Sequence, residues 1–272
     1  MKDLLFEVKD GIATITLNRP DSRNAFSLEM IRLWKESLEE VRDNDEIRVL
    51  VLTGNGIAFC AGGDVKSMKK GKGFVDLNEE VDKDFVSTGL KRKNSLWNYI
   101  QRIPLLMEEI DKPTIAAING DAIGAGLDMA LQCDLRFASD TARFGEGYVN
   151  VGIVPGDGGG YYLPRIIGID KALDLLWTGR IIDSEEALKI GLVTRVCSHE
   201  ALMDEVMAFA NRLARGPQQA MRFTKRTVYQ GLKTDLRTSL DMVSSFMGLV
   251  TEHPDYQEGL QAIIEKRKPK FN

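Results

Sequence analysis

Histidine is nearly missing from this 272-residue chain: His199 and His253 are the whole supply, and no cysteine or histidine pair stands at a metal-ligand spacing. No metal site is therefore expected. Cysteine is as sparse, with Cys60, Cys133 and Cys197 odd in number and far apart. That excludes a disulfide framework and fits a reducing compartment. No apolar run reaches the roughly 20 residues of a membrane span. The opening Met1-Lys2-Asp3-Leu4-Leu5-Phe6-Glu7 lacks the apolar core of a secretion signal. A cytoplasmic protein without a membrane partner is expected. Positive charge is not in excess: the formal net charge is -4, which gives no general pull on nucleic acid, so none is expected as a partner. Hydrophobic residues at 43% and charged residues at 28% are ordinary globular values and exclude wholesale disorder.

Glycine is what the chain has, concentrated in three turns with acids among them: Gly120-Asp121-Ala122-Ile123-Gly124-Ala125-Gly126-Leu127-Asp128, Phe144-Gly145-Glu146-Gly147-Tyr148 and Pro155-Gly156-Asp157-Gly158-Gly159-Gly160. Glycine lets backbone come close to a ligand and present its N–H groups. Amides at a helix start are poised for negative charge. A carboxylate beside such a turn can move a proton while the amides hold an oxyanion. The combination points to an active site.

Around these turns the pattern is α/β. Gly11-Ile12-Ala13-Thr14-Ile15-Thr16-Leu17 alternates as a half-buried strand, ended by Arg19-Pro20-Asp21. Ser27 is placed to cap a helix with Met30, Leu33, Trp34, Leu38 and Val41 on one face. Val49-Leu50-Val51-Leu52-Thr53, Ile115-Ala116-Ala117-Ile118 and Leu135-Arg136-Phe137-Ala138 read as buried strands. Residues 69–95, with few apolar side chains, suggest a mobile surface excursion. Beyond Gly191 four helices are expected: Leu202 to Leu213, Gln218 to Tyr229, Leu236 to Val250 and Tyr256 to Lys266. The division is residues 1–195 as an α/β core and 196–272 as a helical region too thin to hold a large core alone. His199 and His253 are expected on surface helices and are assigned nothing.

Taken in order, Thr16-Leu17-Asn18-Arg19-Pro20, Asn24-Ala25-Phe26, Phe59-Cys60-Ala61-Gly62-Gly63-Asp64-Val65-Lys66, Lys112-Pro113-Thr114-Ile115-Ala116-Ala117-Ile118-Asn119-Gly120, Cys133-Asp134-Leu135-Arg136-Phe137-Ala138 and the tail Glu265-Lys266-Arg267-Lys268 resemble the crotonase (enoyl-CoA hydratase/isomerase) superfamily over nearly the whole chain. The resemblance implies a crotonase-like core of stacked ββα turns with a C-terminal helical oligomerisation region, assembled as a trimer or hexamer. It implies an acyl-CoA thioester substrate, with coenzyme A part of the substrate rather than a cofactor. The thioester carbonyl would lie in an oxyanion hole formed by the amides of Gly63 and Ala125. Ala61, Gly63, Asp64 and Lys66 would border the coenzyme, and Lys266 would meet its phosphate from a neighbouring subunit. The implied chemistry is hydration of an enoyl-CoA or migration of its double bond.

At the catalytic acids the chain departs from its relatives. Where hydratases carry two glutamates, this sequence has Asp128 and Tyr148. A phenol with an ordinary pKa near 10 is a poor base at neutral pH but a competent donor. Asp157 sits where carbon–carbon-cleaving members place a catalytic aspartate, which leaves hydrolysis of a β-keto substrate as an alternative. Glu146 would share one face with Phe144 and Tyr148 if residues 144–148 were extended. The candidate catalytic set is Asp128, Asp157, Tyr148 and Glu146, with Asp157 as a helix cap and Asp128 as a first-turn acid the structural alternatives.

Rival identities are weaker. Gly120-x-x-x-Gly124-x-Gly126 with Tyr229-x-x-x-Lys233 mimics a short-chain dehydrogenase, but such a glycine turn belongs after the first strand. A non-catalytic acyl-CoA- or RNA-binding homologue would explain the missing glutamates, yet no aromatic-plus-basic stripe supports RNA binding.

Overall fold

The computed structural model describes residues 2–64, 69 and 88–271. Strands β1 (Leu4–Lys9) and β2 (Ile12–Leu17) form a hairpin over Asp10 and Gly11, both at positive φ (52° and 76°). A short 3-10 turn at Pro20–Ser22 then leads into α1 (Leu28–Asp43). Ser27 caps it as expected, its Oγ accepting from the Met30 amide at 3.0 Å, and Met30, Trp34, Leu38 and Val41 are buried. There follow β3 (Val49–Gly54), β4 (Ala58–Cys60), α2 (Thr88–Asn98), α3 (Arg102–Glu109), β5 (Thr114–Ile118), β6 (Asp121–Ile123), α4 (Ala125–Leu131), β7 (Leu135–Ser139) and β8 (Arg143–Gly145). After a 3-10 helix at Gly147–Val151 come α5 (Gly159–Ile167), α6 (Ile169–Thr178), β9 (Ile181–Asp183), α7 (Ser184–Lys189) and β10 (Arg195–Cys197). The chain closes with α8 (Leu202–Ala214), α9 (Gln218–Gly231), α10 (Leu236–Glu252) and α11 (Pro254–Ile264).

The strands sort into a six-stranded sheet, β1-β2-β3-β5-β7-β10, and a four-stranded sheet, β4-β6-β8-β9. Consecutive pairs β3/β4, β5/β6 and β7/β8 each give one strand to the large sheet and one to the small, followed by helix. These are the stacked ββα turns. Neighbours within each sheet run parallel except β1 with β2 and β8 with β9.

Both faces of the large sheet are covered, which is why its central strands are apolar throughout. Leu50, Leu52 and Ala116 turn toward α1 and the small sheet. Val49, Val51, Ile115 and Phe137 turn the other way, onto Leu202, Val206 and Ala210 of α8. Thus α8 closes the core from beyond residue 195, and β10 runs across that position. The three helices after α8 are different. Among their described residues only Asp255 and Ala262 are buried.

Of residues 69–95, only Lys69 and residues 88–95 are described, so most of the expected excursion lies outside the described residues. Residues 88–95 belong to α2 rather than to an open loop; Ser95 is buried, and Leu96 just beyond packs on the core. The histidines stand in turns, not on helices: His199 follows β10, and His253 caps α11 by accepting from the Asp255 amide. All three cysteines are unpaired. Among the described residues no helix is long and apolar enough to cross a membrane.

Candidate active site

The turn after β4 lies on the start of α4. Gly62 has φ +77°, and a Cβ there would stand 3.0 Å from the Ala125 amide nitrogen and 2.8 Å from the Ile123 carbonyl oxygen. A Cβ on Gly126 would be 2.1 Å from the Cys60 carbonyl oxygen, so side chains at either position would force the two turns apart. Gly124, with φ +53°, turns the chain from β6 into the helix. Ala125 is the first helical residue, and a first-turn amide has no acceptor within its own helix. The turn is held from behind by the Phe26 amide on the Gly62 carbonyl (2.9 Å) and the Ala61 amide on the Arg23 carbonyl (2.9 Å). Gly63, half-buried, follows directly. The paired backbone turns expected of Gly63 and Ala125 therefore do meet, with Gly62 making the close approach.

Beside them is a cluster of acids. Asp128 stands in the first turn of α4 and is wholly buried, as is Glu146; Asp157 is 4% exposed. The Tyr148 hydroxyl reaches Asp128 Oδ2 at 2.7 Å and Asp157 Oδ2 at 3.0 Å. The Tyr148 ring lies against Gly124, its Cε2 3.8 Å from where a Cβ would be. The phenol thus bridges both aspartates and borders the turn at Gly124. All four candidate catalytic residues are brought together.

One conditional expectation fails and one structural alternative is set aside. Extended backbone ends at Gly145, and Tyr148 sits on the 3-10 helix, because Glu146 at φ -98°, ψ 72° turns the chain. Both side chains still face Asp128. Asp157 is not a helix cap: Gly158 holds the N-cap of α5 with no side-chain bond, and Asp157 spends its carboxyl on Tyr148.

Burial governs the electrostatics. It pushes Asp157 up to about 7, aided by the charge on Asp128 and opposed by the Tyr148 hydroxyl. It also raises Asp128, against the Tyr148 hydroxyl, the Gly159 amide, Glu146 and the Asp157 amide, which favour the charged form. Glu146 is raised strongly, by burial first and the Asp128 charge second. Tyr148 is held far above the ordinary phenol value by burial and the neighbouring carboxylates, so it stays a donor.

Several supports escaped the sequence reading. A Cβ on Gly159 would meet Asp128 Oδ1 at 2.2 Å, so only glycine lets α5 start against that carboxyl. Gln132 donates from Nε2 to the Asp157 carbonyl at 3.1 Å; it lies four residues after Asp128, on the same helix face, and that spacing is a usable signal. Gln101 donates to the Gly156 carbonyl at 2.7 Å, tying the chain before α3 to the third glycine turn. No pattern announces that contact.

Of the coenzyme candidates, Ala61 and Asp64 are half-buried beside the first turn, and Lys66 lies outside the described residues. Lys266 is exposed past the end of α11, whose main packing partner is α10. The dehydrogenase mimic dissolves: Tyr229 donates to Asp134 at 2.9 Å and Lys233 pairs with Glu108.

Glycine turns in backbone contact beside a cluster of buried acids, on stacked ββα turns, are the arrangement of an enzyme site. A family model described as enoyl-CoA hydratase/isomerase matches residues 7–272, and the chain belongs to that family. It is 33% identical to crotonyl-CoA hydratase of Syntrophomonas wolfei, covering 99% of this chain and 98% of that one. It is also 33% identical to 1,2-epoxyphenylacetyl-CoA isomerase of Escherichia coli, over 100% of this chain and 98% of the relative. Among solved structures, an enoyl-CoA hydratase from Bacillus anthracis superposes with a TM-score of 0.88 at 32% identity, covering 99% of this chain and 98% of that one.

Proposed function

We propose that the protein transforms an enoyl-CoA thioester by holding its enolate between the Gly63 and Ala125 amides while Asp128 and Asp157 move protons, and that double-bond isomerisation is the reaction the geometry supports best. The observation that carries this is the Tyr148 hydroxyl, seated 2.7 Å and 3.0 Å from the two aspartates. Two acids that hydrate a double bond must hold a water between them. Here a phenol fills that place. Isomerisation needs no water: a carboxylate takes a proton from the carbon next to the thioester carbonyl, the electron pair spreads into a dienolate, and a proton returns two carbons further on. Atoms balance without a co-reactant. Hydration is the second reading, favoured by the hydratase relatives.

Asp157 with an affinity near neutrality suits a group that must both take and give a proton. Coenzyme A enters as part of the substrate, bordered by Ala61, Asp64 and Lys66. The uncovered apolar side chains of α10 and α11, among them Leu236, Leu240, Met247 and Ile263, support assembly into a trimer or hexamer, with Lys266 presented to a neighbour. Three unpaired cysteines suit a cytoplasmic setting.

The test is a turnover screen of 3-enoyl- and 2-enoyl-CoAs of increasing chain length, with sedimentation on the same preparation. Faster conversion of 3-enoyl than hydration of 2-enoyl thioesters is expected. Hydration as the dominant activity would reverse the order of the two readings, and no binding of any acyl-CoA would end both.

A further inference from the structure

The acid cluster contains one carboxyl more than that chemistry uses. Glu146 stands where β8 gives way to the 3-10 helix, with no exposed surface, and neither of its oxygens finds a hydrogen-bond partner among the described residues. Asp128 Oδ1 is in the same position. The two groups converge on one point: a Cβ on Gly159 would lie 2.2 Å from Asp128 Oδ1 and 3.2 Å from Glu146 Oε1.

Two ionised carboxylates are acceptors only and cannot satisfy one another. Left so, Glu146 would be a buried charge without a donor, set against an Asp128 anion whose other oxygen the Tyr148 hydroxyl bonds, an expensive arrangement for a core. One proton on Glu146 removes the conflict, because its hydroxyl then donates to Asp128. The same counting applies across Tyr148. A phenol has one hydrogen, yet its oxygen lies within bonding distance of both aspartates. The shorter contact, to Asp128, takes that hydrogen; the longer one becomes a hydrogen bond when Asp157 carries a proton and donates to the phenol oxygen.

We infer that Glu146 is a positioning residue: a carboxylic acid that stays neutral through the working pH range and donates to Asp128 Oδ1, making Asp128 the anion and Asp157, across the Tyr148 hydroxyl, the acid. This rests on the acid–base reading of the site given above. The titratable groups that face Glu146 are Asp128 from α4, Asp157 from the turn before α5, and Tyr148 from the 3-10 helix. Among the described residues no cation is a leading influence on any of the carboxyls. Without one, burial and mutual repulsion retain protons, first on Glu146 and next on Asp157.

Glu146→Gln keeps the shape and a donor N–H toward Asp128, and kcat is expected to stay within about threefold of the parent, since a neutral donor replaces a neutral donor. Glu146→Leu removes the donor. It should lower kcat about tenfold or more with little change in KM, and move the acid limb of the kcat/KM profile to higher pH, because the Asp128 anion has lost a stabilising bond. If Glu146 instead carried the proton, Glu146→Gln would lose about 10²–10⁴ in kcat, and that result overturns the inference. A second arm needs no substrate. Near about pH 8.5, well above ordinary carboxyl values, the infrared spectrum of the intact protein should show a protonated-carboxyl C=O band that is absent from Glu146→Gln. No such difference band would refute the neutral state even if Glu146→Leu failed to fold. A parent enzyme inactive on every enoyl thioester, with the band present, would sink the functional reading and leave Glu146 neutral.

Discussion

Two clusters in this molecule pair a tyrosine with aspartate, and they are built on opposite plans. On the outside of the core, Asp111 receives Arg222 at 2.7 Å and Arg226 as well, while Asp134 receives Lys225 at 2.8 Å and Tyr229 at 2.9 Å. Every acid there has a cation, and the result is attachment: α9 is fastened to the core. Inside, Asp128 and Asp157 share the Tyr148 hydroxyl with no cation beside them, Glu146 lies against Asp128, and among the described residues four oxygens of the three acids lack a hydrogen-bond partner. The outer cluster lowers Asp111 below the ordinary carboxylate range, with Arg222 and then Arg226 outweighing burial. The inner one drives its carboxyls up. Paired acids hold the fold, and unpaired buried acids, which weaken it, mark the chemistry.

The largest effect that would sharpen this contrast is on turnover. Asp157→Asn and Asp128→Asn should each lower kcat by about 10²–10⁴, roughly 3–5 kcal/mol. Asp157→Asn should melt no earlier than the parent, because the amide keeps a neutral donor toward the Tyr148 oxygen. A variant that melts early and turns over normally would break the comparison.

The same substitution made on each side comes next. Tyr148→Phe removes the bridge and should cost about tenfold or more in kcat, beyond any loss of folding stability. Tyr229→Phe removes a bond to an acid that Lys225 still satisfies, and should cost about 0.5–1.5 kcal/mol of stability with kcat unchanged. Equal effects on turnover would show that the clusters do not differ in kind.

Asp111→Ala strips Arg226 of its carboxylate and leaves Arg222 with Asp45, and should cost about 1.5–3 kcal/mol, the range for hydrogen bonds to charged groups. Chemical denaturation would read it, with kcat within a fewfold. The smallest effect is in the pH dependence of melting. Asp157 titrates near 7 when folded, against an ordinary value of 3.8, so between these pH values the folded chain holds a proton the unfolded chain has lost. Its contribution to stability therefore falls as pH rises through that window, and Asp157→Asn should flatten the fall. Asp111 is shifted down, so its contribution is present above the ordinary carboxylate pKa and is lost as pH drops below it. Asp111→Asn should flatten only that acid limb. Kinetically, kcat/KM should decline above about 7 as Asp157 loses its proton.

Much of this architecture is legible in the amino-acid sequence. Val49–Gly54 and Thr114–Ile118 stand out as apolar runs because both of their faces are covered. Ser27 and the four C-terminal helices follow from capping and period. The site residues can be found because glycine turns with acids are rare and chemically pointed. What escapes is too short or too distant to leave a period. Strands β4, β6, β8 and β9 have three residues each, less than any alternation can reveal. The bend at Glu146 hides behind a plausible extended pattern. That α8 closes the sheet from past residue 195 depends on Leu202, Val206 and Ala210 joining one cluster with Val49 and Val51, a meeting no local pattern records.

The central claim is that buried, unpaired aspartates move a proton beside a thioester carbonyl. Incubating the protein with a non-reacting saturated acyl-CoA in deuterium oxide, and following the carbon next to the carbonyl by proton NMR, tests it without knowledge of the natural acyl group. Deuterium should enter at that carbon with the parent protein and fall by about 10²-fold or more in the Asp128→Asn, Asp157→Asn double variant. Exchange that persists undiminished in the double variant, or a thioester that binds the parent and never exchanges, would contradict the account.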